Sequence, residues 1–307
     1  MTNNIMFSDF SVAICTKQRL WTLKRTIRSI FLQSLLPKKI LVVNTTNNIA
    51  PTCVIKKIKI RSKQVVLIVI NIKDCRSMNI SKSRNIALRA CGEAKLVFVD
   101  DDVTLNKTVF SKLLRVMCGV KKIFAVTGKI VPTDRSSVSQ YLAYTHNAVA
   151  HDYVSQIVPY FGNTTILIDM NKQRHNNIMF NETISSGEDT LFYNSFATRG
   201  EHILYYPKIE INHDFLRGNV FNFIKRFWWY AASIPKLNKI NPDLFGEIEI
   251  FLPRKNQNSF LLFLFYIIKP ARITFHEFKK GFFPRKYVFF ELIKNYVYLW
   301  SINYHRL

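Results

Sequence analysis

Two spacings of apolar residues take turns along the first 131 residues of the chain. Short, nearly continuous apolar runs fall at Phe10–Cys15, Lys39–Asn44, Val65–Ile72, Lys95–Asp100 and Phe124–Val131. Runs of that length, apolar on both faces, predict strands buried on both sides. Between the first two runs the spacing shifts to three and four. Leu20, Leu23, Ile27, Ile30, Phe31 and Leu35 share one face of a helix, Lys24, Arg25 and Arg28 lie on the other, and Pro37 stops it. Helices are also predicted over Ser81–Cys91 and Val109–Met117. Strands separated by helices predict an α/β domain, its sheet mostly parallel and covered by helices on both faces. In such sheets ligands bind beyond the carboxyl ends of the strands.

Residues 132–186 are polar and less regular. The helical spacing returns over Gly187–Thr198, with Gly200 placed to end that helix in the left-handed conformation. His202–Ile211 then reads as a strand. From Phe215 onward Phe, Trp and Tyr become dense and bases outnumber acids, which puts a domain boundary near residue 214.

Composition narrows the class. Apolar residues make up 48% and charged residues 21% of the chain, so a packed core is available and wholesale disorder is excluded. Lys and Arg outnumber Asp and Glu by 44 to 20, a charge that attracts polyanions: nucleic acid, nucleotide phosphates or anionic lipid headgroups. The excess is at the ends. Residues 1–63 carry 12 bases and one acid, and residues 215–307 carry 15 bases and 5 acids, against 17 and 14 in the middle. The five cysteines (Cys15, Cys53, Cys75, Cys91, Cys118) lack metal-ligand spacing, and the first residues carry no charged stretch followed by an apolar one. Both features predict a cytoplasmic protein whose cysteines are small core hydrophobes. The longest apolar candidate for a membrane span, Phe260–Ile268, is too short to cross a bilayer.

Within the acidic middle, Asp100-Asp101-Asp102 closes a predicted strand. Three adjacent carboxylates repel one another unless something positive sits among them. A hard divalent cation takes such oxygens together with substrate phosphates, whereas a loop acid capping the next helix needs no metal; the triplet alone leaves both open. Glu188-Asp189, after Gly187, opens a helix, where acids also simply complement the dipole. Arg84-Asn85 and His213-Asp214 carry little weight singly.

In combination the motifs carry more. The segments SVAICTKQR, KILVVN, SKSRNIALRACGEAKLVFVDDDV, FAVTGKIV, FGNTTILI, MFNETISSGEDTLFYNSFATRG and the strand ending NHD resemble the family 2 glycosyltransferases, over roughly residues 10–214. The resemblance implies a GT-A fold with residues 1–214 as the catalytic domain, a nucleoside-diphosphate-sugar donor and inverting transfer to an acceptor hydroxyl. It implies that Asp100 and Asp102 hold a divalent cation (Mn2+ or Mg2+), with His213 beside it. It assigns Thr16, Arg19, Asn44, Arg84, Asn85, Asp100 and Asp101 to the donor, Asp189 to the general base, and Gly162, Asn163 and Glu188 to the acceptor side. Asn44 stands where the family has an acid holding the base or ribose, and Asn79 where it commonly has a glycine. The chemistry is consistent: the leaving diphosphate needs neutralising and the attacking hydroxyl must lose a proton.

Residues 215–307 are predicted to be amphipathic helices on the membrane or acceptor side. Residues 220–234 and 287–304 read as membrane-surface helices, the second with a polar stripe of Glu291, Lys294, Asn295, Tyr298 and Ser301. Between them Lys269, Arg272, Lys279, Lys280, Arg285 and Lys286 stand against Glu277 alone. Apolar faces beside cations predict peripheral attachment to an anionic inner leaflet, with packing on the protein as the competing reading. The expected partners are thus the donor, a glycan or lipid-linked acceptor and a membrane surface, and no nucleic acid. A nucleotidyltransferase would want an early glycine-rich phosphate loop, and residues 10–35 hold no glycine. A basic nucleic-acid-binding module gives no reason for the acidic motifs. A non-catalytic protein of the same fold gives no reason to keep both of them.

Overall fold

The five apolar runs form strands: β1 (Phe10–Thr16), β2 (Lys39–Asn44), β3 (Val66–Asn71), β4 (Lys95–Val99) and, after the short β5 (Val103–Leu105), β6 (Ile123–Pro132). The helices between them are α1 (Leu20–Phe31), α2 (Ile80–Ala90) and α3 (Val109–Gly119). The structure, a computed structural model, describes residues 9–17, 19–45, 65–72, 78–147, 155–158, 162, 164–215, 219–245 and 259–304. Cys53, Cys75 and Asn163 lie outside the described residues.

The segment expected to be irregular holds α4 (Ser137–Asn147), β7 (Gln156–Val158), β8 (Thr165–Asp169) and α5 (Met170–Asn176). Then come α6 (Glu188–Ala197) and the long β9 (His202–His213). Gly200, at φ +74°, follows α6 in the left-handed region expected of it. The strand order is β3-β2-β1-β4-β8-β6-β9-β5, with β7 also paired to β9. Strands β3, β2, β1 and β4 are parallel. The antiparallel β8 then enters between β4 and β6, and β5 and β7 run antiparallel to β9, so the sheet is mixed beyond β4.

Side-chain alternation puts helices on both faces. Phe10, Val12 and Ile14 of β1 share one core with Val97 and Val99 of β4, Leu23 and Ile27 of α1, and Phe110 and Leu113 of α3. On the other face Phe98 meets Phe180, and Phe124 stacks on Phe196 of α6 at 3.6 Å. Among the cysteines expected in the core, Cys91 is buried and burial pushes the Cys15 thiol up to about 12, but Cys118 is exposed at the end of α3.

The chain divides into two units, Met1–Arg135 with Leu142–Leu216, and Ser136–Tyr141 with Arg217–Leu307. The second contains α7 (Val220–Ile240), α8 (Pro242–Phe245), α9 (Ser259–Lys279), a 3-10 turn (Arg285–Tyr287) and α10 (Val288–Tyr304). Asn219 caps α7 by accepting from Asn222 N–H at 2.8 Å. The Tyr141 ring lies against Phe223, Phe227, Tyr287 and Phe290, and its hydroxyl donates to Glu291 at 2.8 Å. The polar stripe of α10 faces inward. Glu291, Asn295 and Ser301 are buried, with Asn295 donating to Thr274 Oγ1 at 3.0 Å and Ser301 to the Trp228 carbonyl at 2.9 Å. The expected water-facing stripe is therefore an internal hydrogen-bonded seam, while Phe289 and Trp300 of the same helix are exposed. No helix among the described residues is long and apolar enough to cross a membrane.

Candidate active site

Strand register brings the acidic triplet to the carboxyl end of β1. Ala13 pairs with Phe98 in the parallel β1–β4 ladder, which carries Thr16 level with the residues just after β4. Thr16 Oγ1 accordingly donates to Asp101 Oδ2 at 2.6 Å. Arg19, at the start of α1, donates from one nitrogen to Asp102 Oδ2 at 2.5 Å and to Asp101 Oδ1 at 3.3 Å. The antiparallel pairing of Val103 with His213 brings the end of β9 alongside, and His213 Nε2 lies 3.3 Å from Asp102 Oδ1. The Asp214 N–H donates to the Asp102 carbonyl at 2.9 Å, and Arg25 of α1 holds the Asp214 carboxylate at 2.8 Å.

Asp100, Asp102 and His213 each offer a ligand atom, and these atoms all lie within 4.8 Å of one another. Two carboxylates and an imidazole make a donor set suited to a divalent cation, and carboxylate oxygen suits Mg2+ and Mn2+. The acids fit that use. Burial first, and then the Asp102 charge, push the Asp101 carboxyl up to about 6 against the pull of Arg19 and Thr16. Burial pushes Asp100 well up too; Arg84 opposes this and the neighbouring Asp102 and Asp101 reinforce it. The cluster is short of positive charge, which a cation held between Asp100 and Asp102 would supply.

A second acidic pair sits at the start of α6. Gly187 precedes it at φ 78°, a left-handed conformation that a Cβ would strain, and so turns the chain into the helix. Arg84 of α2 links the two acidic groups. One nitrogen donates to Glu188 Oε1 at 2.5 Å, another lies 3.8 Å from Asp100 Oδ1, and the guanidinium stands 5.5 Å over the Phe180 ring. Burial pulls the guanidinium down, but Glu188, then Asp100 and Asp189, outweigh it and the net shift is upward. Burial and Asp189 push Glu188 up to about 7, with Arg84 pulling the other way. Asp189 accepts from the Thr190 N–H at 2.8 Å, and its Oδ2 would lie 3.8 Å from a methyl placed on Gly162.

Thr16, Arg19, Arg84, Asp100, Asp101, Asp102, Glu188, Asp189, Gly162 and His213 thus belong to one neighbourhood. Two further expected members have their amides engaged by other residues. Asn44 ends β2 level with Thr16 in the β1–β2 ladder and donates to Asn71 Oδ1 at 2.9 Å. Asn85 spends its amide on the segment before α6: it accepts from Phe180 N–H at 2.9 Å and donates to the Phe180 carbonyl at 3.0 Å and to Glu182 at 2.8 Å. Asn79, the departure from glycine, caps α2 and donates to the Glu182 and Ile184 carbonyls at 2.8 and 3.1 Å. Together the two asparagines hold the segment that leads into Gly187. The residue types alone also leave out two neighbours. Tyr193 is buried where it feels Arg84, Asp189, Asp100 and Glu188, and burial drives its phenol well up; it stands one helical turn after Asp189, a spacing visible in the sequence. His146 of α4 lies 6.1 Å from the His213 ring and would be 3.3 Å from the Gly162 methyl. No spacing signals it.

A metal-sized acidic cluster and an acid-led helix at the carboxyl edge of a mixed α/β sheet define the GT-A class of glycosyltransferase folds. The family described as Glycosyl transferase family 2 matches residues 11–196, and the chain belongs to that family of glycosyltransferase enzymes. Among solved structures it is similar to TarS of S. aureus, with 16% identity and TM-score 0.56 over 96% of this chain and 55% of that one. Residues 1–349 of TarS in complex with UDP align with 16% identity and TM-score 0.54 over 97% of this chain and 91% of that one. A mannosyltransferase, PcManGT from Pyrobaculum calidifontis, in complex with GDP-Man and Mn2+, aligns with 13% identity and TM-score 0.65 over 97% of this chain and 87% of that one. At these identities the likeness establishes the fold alone. The chain spans 55% of the length of the full TarS structure. No curated protein matches the sequence.

Proposed function

We propose that this protein transfers a sugar from a nucleoside-diphosphate sugar to an acceptor hydroxyl, with inversion at the anomeric carbon. The observation that carries the reading is the convergence of Asp100, Asp102 and His213 within 4.8 Å, tied through Arg84 to the Glu188-Asp189 pair. Asp100, Asp102 and His213 would hold a divalent cation, Mn2+ or Mg2+, whose charge neutralises the leaving diphosphate. Arg19, with its side chain 45% exposed, is free to meet donor phosphates while still facing Asp101 and Asp102. Thr16 fixes the carboxylate of Asp101 and keeps the turn after β4 in place.

Asp189 is the proton acceptor. It stands in the first turn of α6, and a carboxylate there can take the proton of an attacking hydroxyl. Glu188 fills a different role from the acceptor contact that the family resemblance suggests. Buried against Arg84, it holds the guanidinium that faces Asp100. The acceptor is a glycan or a lipid-linked sugar, the residues to 214 form the catalytic domain, and the C-terminal helices attach the enzyme peripherally to an anionic membrane. The PcManGT complex with GDP-Man and Mn2+ supports the donor class and the metal.

A thermal-shift panel of UDP, GDP and their sugars, each with and without Mn2+ or Mg2+, tests the reading. The expected result is stabilisation by one nucleotide series only with metal present, abolished by Asp102→Ala. Stabilisation by none of them, or an equal shift in EDTA, removes the metal-assisted donor site.

A further inference from the structure

The aromatic tail was expected to meet a membrane along its helices. The structure shifts that expectation, because Phe223, Phe227, Phe290, Val297, Leu299 and Ile302 are buried within the C-terminal unit. Exposed apolar side chains remain at several places on these helices, and three of them, all phenylalanines, fall at the hairpin joining α9 to α10. Lys280 and Gly281 N–H groups bond back to His276 and Phe278, and Phe282 N–H bonds to the Glu277 carbonyl at 3.1 Å, so the turn folds tightly on the end of α9. Within it alternate phenylalanines part company. Phe283 and Phe290 turn inward, while Phe275, Phe282 and Phe289 stand 61%, 60% and 61% exposed. Phe275 lies in the last turns of α9, Phe282 in the connection and Phe289 in the first turn of α10, so all three belong to one end of the hairpin.

Cations surround them. Lys279, Lys280, Arg285 and Lys286 are exposed at the same turn, and Arg272 is exposed on α9. The acids nearest in sequence are turned to internal work: Glu277 accepts from Asn295, and Glu291 is buried with Tyr141 and Lys294. Three exposed phenyl rings want hydrocarbon, and four or five cations that form no salt bridge among the described residues want phosphate. An anionic bilayer answers both demands at one depth, with rings below the headgroups and ammonium and guanidinium groups among them. A second copy of the chain meeting through this turn would set like charges against one another.

We propose that the α9–α10 turn is the membrane-docking wedge of this protein, with Phe275, Phe282 and Phe289 inserted and Lys279, Lys280, Arg285 and Lys286 bound to anionic headgroups. The wedge rests on the peripheral-membrane reading above and is independent of the sugar-transfer chemistry. Vesicle flotation of the full chain tests it, using phosphatidylcholine alone and an equimolar mixture with phosphatidylglycerol. The wild type floats with the mixed vesicles and is released by high salt. Phe275→Ser/Phe282→Ser/Phe289→Ser loses at least about tenfold in partitioning. Replacing the four cations by Gln costs about fivefold for each. Tyr304→Ser, at an exposed ring at the far end of α10 from the turn, keeps wild-type binding. All substituted positions are exposed, and circular dichroism verifies that each variant is folded.

If the wild type floats with neither vesicle, the membrane reading falls and the wedge with it. If the wild type floats and the triple-serine variant floats equally, the membrane reading stands and the wedge is wrong. Displacement from vesicles by a single-stranded RNA oligomer that binds through the same phenylalanines would reassign the turn to nucleic acid and overturn the proposal.

Discussion

Arg84→Met separates a working bridge from a chance proximity. The substitution keeps the aliphatic stem in its buried slot and removes the guanidinium that touches Glu188 and faces Asp100. Glu188 is then buried beside Asp189 without its cation. Its carboxyl already stands at about 7 against an ordinary 4.5, for burial and Asp189 outweigh Arg84, so losing Arg84 raises it further. The sign follows from linkage. A carboxyl whose folded value lies above its unfolded one contributes stability that is complete below the unfolded value and lost as pH rises through the folded one. In the wild type that loss spans the interval from 4.5 to about 7. In Arg84→Met it continues above neutrality, widening the deficit by up to about 1.4 kcal/mol per pH unit.

The two regimes give the numbers. Near pH 6 Glu188 holds its proton in both proteins, and the variant loses only the Asp100 contact and some packing, about 1–2 kcal/mol. Near pH 8.5 the variant either keeps a proton that the unfolded chain has given up or carries an uncompensated buried carboxylate, and the deficit reaches about 3–4 kcal/mol. At about 3 °C per kcal/mol the Tm gap grows from roughly 5 °C to roughly 10 °C. Scanning calorimetry in EDTA reads this without interference from bound metal. Arg84→Lys keeps a charge on one nitrogen, which serves Glu188 but cannot span to Asp100 as well, so its deficit stays near the pH 6 value throughout. A Tm gap for Arg84→Met that is the same at both pH values refutes the ion-pair argument.

Asp189→Asn should slow transfer about 10²–10⁴-fold in a steady-state assay while calorimetry gives an unchanged donor affinity, since a general base acts only in the transfer step; a near-native rate leaves Asp189 as a helix cap, for which Asn serves nearly as well. Gly128→Ala should cost about 3 kcal/mol or more by urea denaturation, because the new methyl would sit 2.2 Å from the Ile209 carbonyl oxygen, whereas Gly119→Ala, with nothing within 4 Å, stays within about 1 kcal/mol. Tyr141→Phe should lower stability by about 1–2 kcal/mol, measured the same way, because it removes the donor to the buried Glu291.

The N-terminal half of the sheet is legible in the sequence because β1, β2 and β4 are buried on both faces and their apolar runs need no partner to be recognised; β3, at the edge, keeps such a run although Val66 and Ile68 are exposed. β8 is not legible in this way. It has five residues, Thr165–Asp169, within a polar stretch, and it enters the sheet antiparallel between β4 and β6, a pairing that no local pattern encodes. The stripe on α10 was legible in its spacing but not in its direction. Glu291, Asn295 and Ser301 recur as a water-facing stripe would, yet they face Tyr141, Thr274 and the Trp228 carbonyl. Periodicity defines a face and leaves open whether water or protein meets it, and here buried polar partners replace water.

The same distinction explains the site. Asp100, Asp102, Asp189 and Arg84 stood out because charge at a strand end or helix start is conspicuous by itself. Asn85 follows Arg84 in the chain and shares Phe180 with it, but its amide is taken up by the Phe180 backbone and by Glu182, a use that no residue type or spacing signals. Residues 180–186 form no strand or helix, and backbone polar groups in such a segment must find partners elsewhere. Asn85 accepts one N–H and donates to the carbonyl of the same residue, Phe180, while Asn79 takes the carbonyls of Glu182 and Ile184. Two side-chain amides thus do for this segment what a neighbouring strand would do for β structure. Because they hang from α2, the helix that carries Arg84, they hold the entry to α6 at a fixed distance from the residue that Glu188 must reach. The precision of the acidic site therefore depends on two neutral residues that hydrogen-bond to none of its acids, and a glycine at position 79 would have to recover that bracing from elsewhere.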